Sequence, residues 1–588
     1  MVPHMRVTSD GHPLHPRGSR ARVLLSSVFG PYSRDDEYGS RTVNPMELYQ
    51  NQVTRVQGAF SLRMFHRSWG LMLIQANLEA PCTVLDFPSL ERFEAELRDH
   101  EYDVVGIGAI NPNVGKVAKM CAMTRELQPH ATIVVGGHVA NHPRIHELTD
   151  ADHVVRGEGV QWFRRFLGED PTKPIRHPLI VSGFGTRIMG VHGSDDEKDT
   201  AATIIPSVGC PLGCDFCATS AMFGGKGRSY SFFPTGDDLY ELMAQLEARM
   251  GVRSFFVMDE NFLLHRKRAR RLLQLMQENG KAWSLLVFSS ANALKLYTME
   301  ELVSLGISWV WMGLEGKGAA YGKLQGTDTR ALVEELQSHG IRVLGSSIIG
   351  LREHTPENMD EAIDYAVSHD SDFHQFMLYT PVPGTPLWKK HEQDGTLLDE
   401  SECPTADVHG QTRFNYRHPH ILDGQEGEMV LRAFRRDFEV NGPSLVRMLG
   451  TLLRGHLRHR DHPDPRVRDR FWWETRDLRT TYAGILWAAE RWFRKNRAVR
   501  AKIRAVREDL RAAFGWRTAL WGAAVGPALL ATLWLEERRL RRGWTYEPPT
   551  FYETNSPVSA VGRRGGPVPS LCRWVEPQLV PESEAWTA

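Results

Sequence analysis

The segment Ser207–Ser220 reads SVGCPLGCDFCATS, which sets Cys210, Cys214 and Cys217 in a C-x3-C-x2-C spacing. Three thiols within eight positions read as a ligand set, because so dense a cluster is improbable for cysteines that merely fill a core. Thiolates are the usual ligands of iron–sulfur clusters, and a 4Fe–4S cube takes four ligands. One short loop here supplies three of them, which leaves one iron open to an outside chelator. A structural zinc site would want a fourth Cys or His close by, and the thirty residues after Cys217 contain neither.

The chain that must position this loop has 588 residues, long enough for two to four domains. Hydrophobic residues make up 41% and charged residues 24%, an ordinary globular composition that excludes a collagen-like or largely disordered chain. The 71 basic and 71 acidic residues cancel, so whole-chain charge points to no partner. Seven cysteines are too few for a disulfide framework; together with the cluster they favour a reducing compartment, and a cytoplasmic location is expected. The polar start MVPHMRVTSDGHPLHPRGSR has no apolar run and does not read as a secretory signal.

Strand and helix patterns alternate on both sides of a polar stretch. Before it, Arg22–Phe29, Cys82–Phe87, Asp103–Ile110, Ala131–Gly136 and His153–Arg156 read as strands, with helical patterns at Leu90–Arg98, Gly115–Leu127 and Arg144–Leu148. That order predicts a doubly wound α/β domain with a parallel sheet. Gly106, Gly108, Gly136, Gly137, Gly157 and Gly159 sit at or after strand ends, where they serve tight turns or let a ligand approach the backbone. After it, strands are predicted at Thr203–Val208, Ser254–Met258, Trp283–Phe288, Trp309–Leu314, Val343–Ile349 and Phe373–Tyr379. Helices are predicted at Asp237–Met250, Lys267–Glu278, Met299–Leu305, Arg330–His339 and Pro356–Ser368. Six such units fit a partial β/α barrel with its chemistry on the loops after the strands, and the cysteine loop follows the first of them.

From about residue 391 the chain turns helical, Arg-rich and aromatic, and between Leu431 and Thr545 basic residues outnumber acidic ones roughly two to one. Ala519–Leu535 is apolar, contains Pro527, and is flanked by Arg517 and by EERRLRR at Glu536–Arg542. It is at the short limit for a membrane span; a buried core helix and an interfacial anchor are the other readings. Basic, Trp-rich stretches such as Arg491–Glu508 suit an anionic lipid surface or form a solvated face, with nucleic acid the least favoured partner. The polar run FGPYSRDDEYGSR at Phe29–Arg41 is a surface loop or lines a channel.

Over roughly residues 20–390 the sequence looks like the cobalamin-binding class of radical S-adenosylmethionine (SAM) proteins, the class B radical SAM methylases. The resemblance rests on the cysteine motif and on a series of strand ends in the right order. FFVMDENF (Phe255–Phe262) resembles the second strand end that meets the SAM amino group, which implies Asp259 or Glu260 in that role. WMGLEG (Trp311–Gly316) resembles the fourth, with Glu315 toward the ribose. SSIIGLRE (Ser346–Glu353) resembles the G-x-I-x-G-x-x-E motif around the adenine; it keeps Ile348, Gly350 and Glu353 and has Ser346 for the first glycine. YTPVPGTPLW (Tyr379–Trp388) resembles the closing sixth strand, and Phe216 is the aromatic that shields the cluster. Val104–Ala140 followed by VVRGEG (Val154–Gly159) resembles the cobalamin module, which implies contacts from Gly108, Asn111, Gly136, Gly137, His138, Gly157 and Glu158. The chain has no D-x-H-x-x-G motif, so no histidine ligand to cobalt is implied.

The fold implied is α/β. A disordered lead-in (1–20) precedes a Rossmann-like cobalamin-binding domain (21–165) and a linker (166–200). A partial (β/α)6 TIM-type radical SAM barrel (201–390) and a helical, basic and aromatic C-terminal region (391–588) follow. The implied cofactors are a 4Fe–4S cluster, SAM and cobalamin. The implied reaction is reductive cleavage of SAM, hydrogen abstraction from an unactivated carbon and methyl transfer from cobalamin, which a second SAM remethylates. The implied partners are a small-molecule or lipid-like substrate and an electron donor such as flavodoxin or ferredoxin, with peripheral membrane contact through the C-terminal region. Cyclisation or oxidation without methyl transfer is the first alternative. A non-catalytic cobalamin or iron–sulfur sensor is the second, and the intact cysteine triad argues against it. A methylthiotransferase is disfavoured, because the N-terminal domain offers only Cys82 and Cys121, far apart in sequence.

Overall fold

The computed structural model describes residues 6–7, 11–30, 38, 52–64, 66–189, 191–192, 197–316, 324, 326–555 and 570–573. Most of the Phe29–Arg41 run falls outside them.

The N-terminal domain is built on five parallel strands: β1 (Val23–Ser27), β2 (Cys82–Asp86), β3 (Val104–Gly108), β4 (Thr132–Gly136) and β5 (His153–Val154). They lie in the order β2-β1-β3-β4-β5, with Leu24 of β1 level with Thr83 of β2 and Val105 of β3. Every residue of β1 and β2 is buried, as parallel strands covered on both faces must be. Side chains alternate between two cores. Leu24, Leu85, Val105 and Ile133 meet helices α2 (Leu90–Asp99) and α3 (Val114–Leu127) on one face. Val23, Leu25, Val84 and Val134 meet α1 (Trp69–Ala76) and α4 (Gly159–Phe166) on the other. The direction of winding reverses between β1 and β3, and in sheets of this kind a ligand crevice opens there, beyond the carboxyl ends of the strands.

The second sheet runs β6 (Ala201–Ile204), β7 (Ser254–Val257), β8 (Ser284–Ser289), β9 (Ile307–Glu315), β10 (Arg342–Ile349) and β11 (Phe373–Leu378). All neighbours pair in parallel in chain order, and the first and last strands do not pair, which makes a partial barrel. The helices α5 (Ala218–Met222), α6 (Gly236–Met250), α7 (Arg266–Glu278), α8 (Met299–Ser304), α9 (Thr329–Ser338) and α10 (Met359–Val367) connect them. Thr235 starts α6 in a reciprocal cap with Asp238, the arrangement that satisfies two helix-end donors at once.

After α11 (Pro386–Gln393) come six long helices: α12 (Glu426–Asn441), α13 (Ser444–His459), α14 (Pro465–Glu474), α15 (Thr481–Trp492), α16 (Arg497–Phe514) and α17 (Arg517–Arg541). α12, α13 and α14 pack on the barrel, and α15, α16 and α17 pack mainly on one another and on α12 and α13. The contact is close where Gly455 of α13 faces Gly340 after α9, and Arg342 of β10 pairs with Glu474 of α14 at 2.8 Å with both side chains buried.

Three features differ from the sequence expectation. The C-terminal region is not all helical: Phe551–Thr554 returns to pair antiparallel with β2 and covers that edge of the N-terminal sheet. The expected disordered lead-in is ordered at its described residues, with Arg6–Val7 paired antiparallel to Pro13–Leu14. Its polar sequence hides the reason: the His12 and His15 rings pack on Trp162 and Phe166, His15 N–H donates to the Phe166 carbonyl, and Arg17 pairs with Asp103. The expected linker contains Phe184–Ile188, the middle strand of a small antiparallel sheet with Arg63–Met64 and Val191–His192. One partner, Val191–His192, is a sequence neighbour, but the other, Arg63–Met64, lies far away in the chain, where local pattern cannot show it.

A Cβ on Gly455 would stand 2.6 Å from Gly340 Cα and 2.6 Å from the Phe471 ring. Gly455→Val is expected to lower the unfolding free energy by about 1–3 kcal/mol through overpacking, read by urea titration.

Candidate functional site

The cysteine loop leaves the carboxyl end of β6 and closes on itself. Cys217 N–H donates to the Cys214 carbonyl at 3.1 Å, Ser220 Oγ to the Cys210 carbonyl at 3.2 Å, and Gly227 N–H to the Pro211 carbonyl at 2.8 Å. Gly213 turns with φ +67°, and a Cβ there would lie 2.6 Å from Lys226 Cα, so only glycine lets the loop fold this tightly. Three other elements hold it from outside. Leu387 N–H donates to the Asp215 carbonyl at 3.0 Å, and the Tyr379 hydroxyl donates to Asp215 Oδ2 at 3.2 Å. From the N-terminal domain, His138 Nε2 shares a hydrogen bond with Thr219 Oγ1 at 3.3 Å, and Asn141 Nδ2 donates to the Ala218 carbonyl at 3.4 Å.

Cys210, Cys214 and Cys217 all line one cavity of about 540 Å³ over the carboxyl ends of the barrel strands. Burial pushes the Cys217 thiol up to about 11, and neighbouring acidic groups, Glu260 first, add to the shift, while Ser220 N–H opposes it. Among the described residues no three ligating groups converge as they would on a single ion. Separate irons at the corners of a cube accept thiolates spaced farther apart than one ion's coordination sphere does. Three thiols from one loop, lining one cavity with no fourth Cys or His among the described lining residues except His138 and His409, match the thiolate donor set of an iron–sulfur cluster.

The other expected residues separate. Asp259 is withdrawn from the cavity: it is buried in an ion pair with Arg268, accepts from Ser207 Oγ at 2.6 Å, and accepts from Asn261 N–H at 3.1 Å. Glu260 lines the cavity, and burial with the nearby Asp259 charge pushes its carboxyl up to about 7. Glu315 lines it from the end of β9, with φ +53° and a register shift against β10, the irregular backbone that re-aims a strand-end side chain. Phe216 lines it too, edge-on to Tyr379 at 6.2 Å. Ile348 lines it, whereas Gly350 packs under the Phe414 ring and Glu353 is exposed outside it. Ser346, in the place of the motif's first glycine, joins a polar chain: Trp311 Nε1–H donates to Ser346 Oγ, Ser346 Oγ–H to Gln375 Oε1, and Gln375 Nε2–H to Gln52 Oε1.

A second cavity of about 550 Å³ opens where the winding of the N-terminal sheet reverses. Gly108, Gly136, Gly137, His138, Gly157 and Glu158 line it, whereas Asn111 lines the cysteine cavity instead. Gly137 needs its φ of +80°, and a Cβ there would meet the Ala109 carbonyl oxygen at 2.5 Å. The Glu158 carboxylate is spent on capping α4, accepting from Val160 and Gln161 N–H. Leu25, Leu71, Ile74 and Phe163 supply apolar walls, and with the glycine backbone between them the crevice fits a broad ring with apolar faces and polar edges. Burial lowers the pKa of His138, which favours a neutral imidazole. The two cavities share Ile110, His138 and Glu260.

Several lining residues were not anticipated. Ser289 ends β8 and Ser290 follows it, positions that strand-end logic could have marked. Val408, His409 and Gly410 come from a segment beside β11, where Leu378 N–H donates to the Gly410 carbonyl; no local pattern marks them.

A family model described as the radical SAM superfamily matches residues 204–366, and one described as a B12 binding domain matches residues 60–167. An uncharacterized methyltransferase of Pyrococcus horikoshii is 25% identical, over 51% of this chain and 72% of that protein. A bacteriochlorophyllide d C-12(1)-methyltransferase of Chlorobaculum tepidum is 28% identical, over 49% of this chain and 59% of that protein. A hopanoid C-2 methylase of Rhodopseudomonas palustris is 27% identical, over 35% of this chain and 40% of that protein. The six C-terminal helices lie outside both family models.

The two adjacent carboxylates should respond differently to neutralisation. Asp259→Asn strands a buried Arg268 and is expected to cost about 3–5 kcal/mol of unfolding free energy. Glu260→Gln replaces a carboxylate that burial disfavours and is expected to cost none; urea unfolding of the apoprotein reads both.

Proposed function

We propose that this chain, in which a B12-binding domain precedes a radical SAM domain, is a cobalamin-dependent enzyme that methylates an unactivated carbon of a lipid-like small molecule. The observation that carries the reading is the sharing of Ile110, His138 and Glu260 between the crevice of the N-terminal sheet and the cavity of the cysteine loop. When bound, the cluster with SAM supplies a 5′-deoxyadenosyl radical for hydrogen abstraction, and cobalamin supplies the methyl group.

The chain's own part is to bind, orient and exclude water. Cys210, Cys214 and Cys217 hold the cluster, and Phe216 with Tyr379 screens it. Glu260 takes the SAM amino group, since Asp259 is committed to Arg268. Glu315 takes the ribose, and Ile348 with the backbone of β10 flanks the adenine. Gly108, Gly136, Gly137 and Gly157 let the corrin edge approach backbone amides, with Glu158 acting through the cap it gives α4. Asn111, on the cysteine side, belongs with SAM or substrate. Both cavities have largely apolar linings, which suit an apolar substrate and a dry reaction chamber. Two relatives are named for hopanoid and bacteriochlorophyllide, and this chain's apolar cavities favour a substrate of comparable character. Two electrons per turnover, one for SAM cleavage and one to return the cobalamin to the state that a second SAM remethylates, come from a donor such as flavodoxin or ferredoxin, in the cytoplasm and at a membrane face.

Anaerobic reconstitution with iron, sulfide and hydroxocobalamin tests the reading. About four irons per chain, absent from the Cys210→Ala, Cys214→Ala, Cys217→Ala variant, and one corrin per chain are expected. With dithionite and methyl-deuterated SAM, 5′-deoxyadenosine release and label in an added lipid extract are expected. A cluster without corrin would retire methyl transfer in favour of cyclisation or oxidation. An intact cluster without SAM cleavage would remove the enzyme reading altogether.

A further inference from the structure

We propose that α17 docks this protein on an anionic membrane, lying in the interface with one face in the lipid and the opposite face locked to the protein. The surface belongs to neither cavity. The proposal rests on the lipid-like substrate reading only for its purpose, which would be to bring the enzyme to where such a substrate resides.

The inner face of α17 is fitted to its neighbour. Gly522 and Gly526 lie against α15, where a Cβ on Gly526 would stand 2.4 Å from the Trp487 ring, and a Cβ on Gly484 of α15 would stand 2.9 Å from Val525. At the far end Glu536 and Glu537 are buried on this face, held by the Tyr546 hydroxyl at 2.7 Å and by Arg541 at 3.2 Å. A helix seated this tightly, with two carboxylates on its seam, is not built to span a bilayer. Nor is it a core helix: its most apolar window is only 22% buried.

The outer face is where the apolar surface goes. Trp516, Leu520, Trp521, Trp534 and Leu535 are each at least half exposed, at 62%, 58%, 50%, 54% and 56%. Exposed alanines at 524, 528 and 531 fill the gaps. At 100° per residue these positions fall within one arc, opposite Gly522 and Gly526; the stripe from Trp516 to Leu535 runs about 29 Å, and no charged side chain interrupts it between Thr518 and Leu535. Single exposed hydrophobics are ordinary, but a continuous stripe marks a contact surface.

Charge chooses the partner. Arg517 lies beside Trp516 at the amino end of the stripe, and Arg538 and Arg542 continue its line beyond the other end, all three as exposed cations. Trp492 at the end of α15 packs on Trp534 at 5.0 Å, which brings the exposed Arg494, Lys495 and Arg497 to that same end. An apolar strip with tryptophans near both ends and a cluster of arginines at one is matched by acyl chains beneath anionic headgroups. A second copy of the chain would set arginines against arginines.

Co-sedimentation of the full chain with phosphatidylcholine vesicles, with and without phosphatidylglycerol, tests this. Binding to the anionic vesicles is expected, weakened by salt and at least about tenfold weaker without phosphatidylglycerol. Trp521→Ser with Leu535→Ser should abolish it, and Arg538→Gln with Arg542→Gln should weaken it about thirtyfold on anionic vesicles only. Circular dichroism and iron content confirm that the variants fold. Wild-type protein that stays in the supernatant with both vesicles overturns the proposal. So does a dimer in light scattering that Trp521→Ser dissociates, which would put a second copy on the face. SAM cleavage measured in parallel without vesicles keeps the two readings apart: cleavage without docking defeats only this proposal, and docking without cleavage defeats only the enzyme reading.

Discussion

Everything in this molecule depends on holding one short loop of three thiols rigid at the mouth of a large apolar chamber. A loop that presents ligands to an open cavity cannot be stabilised by packing on the side facing the cavity, so it must be held from behind. Here Ser220 and Gly227 tie the loop to itself, Tyr379 and Leu387 pin Asp215 from the end of the barrel, and His138 and Asn141 reach in from the other domain. The domain interface is thus part of the loop's support, and a shift between domains would move the thiols as well as the crevice.

The same requirement explains where charge is buried. A dry chamber tolerates an ionised carboxylate only when it is paired. Asp259 is paired with Arg268 and turned away, which fixes the end of β7 and leaves its neighbour Glu260 facing the cavity with a carboxyl that burial raises. Two adjacent carboxylates thereby acquire different work, one structural and one available to a ligand. The Arg342–Glu474 pair does similar structural work at the amino end of β10, where a C-terminal helix closes the barrel away from the chemistry.

The C-terminal third follows a different logic. Small residues lock its helices to the barrel, Gly455 against Gly340, and to one another, Gly526 against Trp487, and let backbones approach closely enough for cooperative packing. With the inner surface satisfied this way, the remaining apolar side chains of α17 have nowhere to go but outward. The apolar content of that helix therefore exceeds what its fold uses.

Local pattern alone made the βα alternation of both domains and the three-thiol ligand set legible, because strand and helix periodicities and metal-ligand spacing are short-range properties. Each barrel strand falls within a few residues of its expected place. Tertiary structure decided which candidates share a cavity: Glu260 but not Asp259, Ile348 but not Glu353, and Asn111 on the cysteine side rather than in the crevice. A motif places residues along a strand end, but the cavity is defined by what packs around it, and Arg268, Phe414 and the segment around His409 arrive from elsewhere in the chain. It also decided that Phe551–Thr554 completes a sheet begun by residues 23–27, and that an apolar stretch of undetermined fate at Ala519–Leu535 is half seam and half open surface. Those outcomes rest on contacts between residues far apart in sequence, which no window along the chain contains.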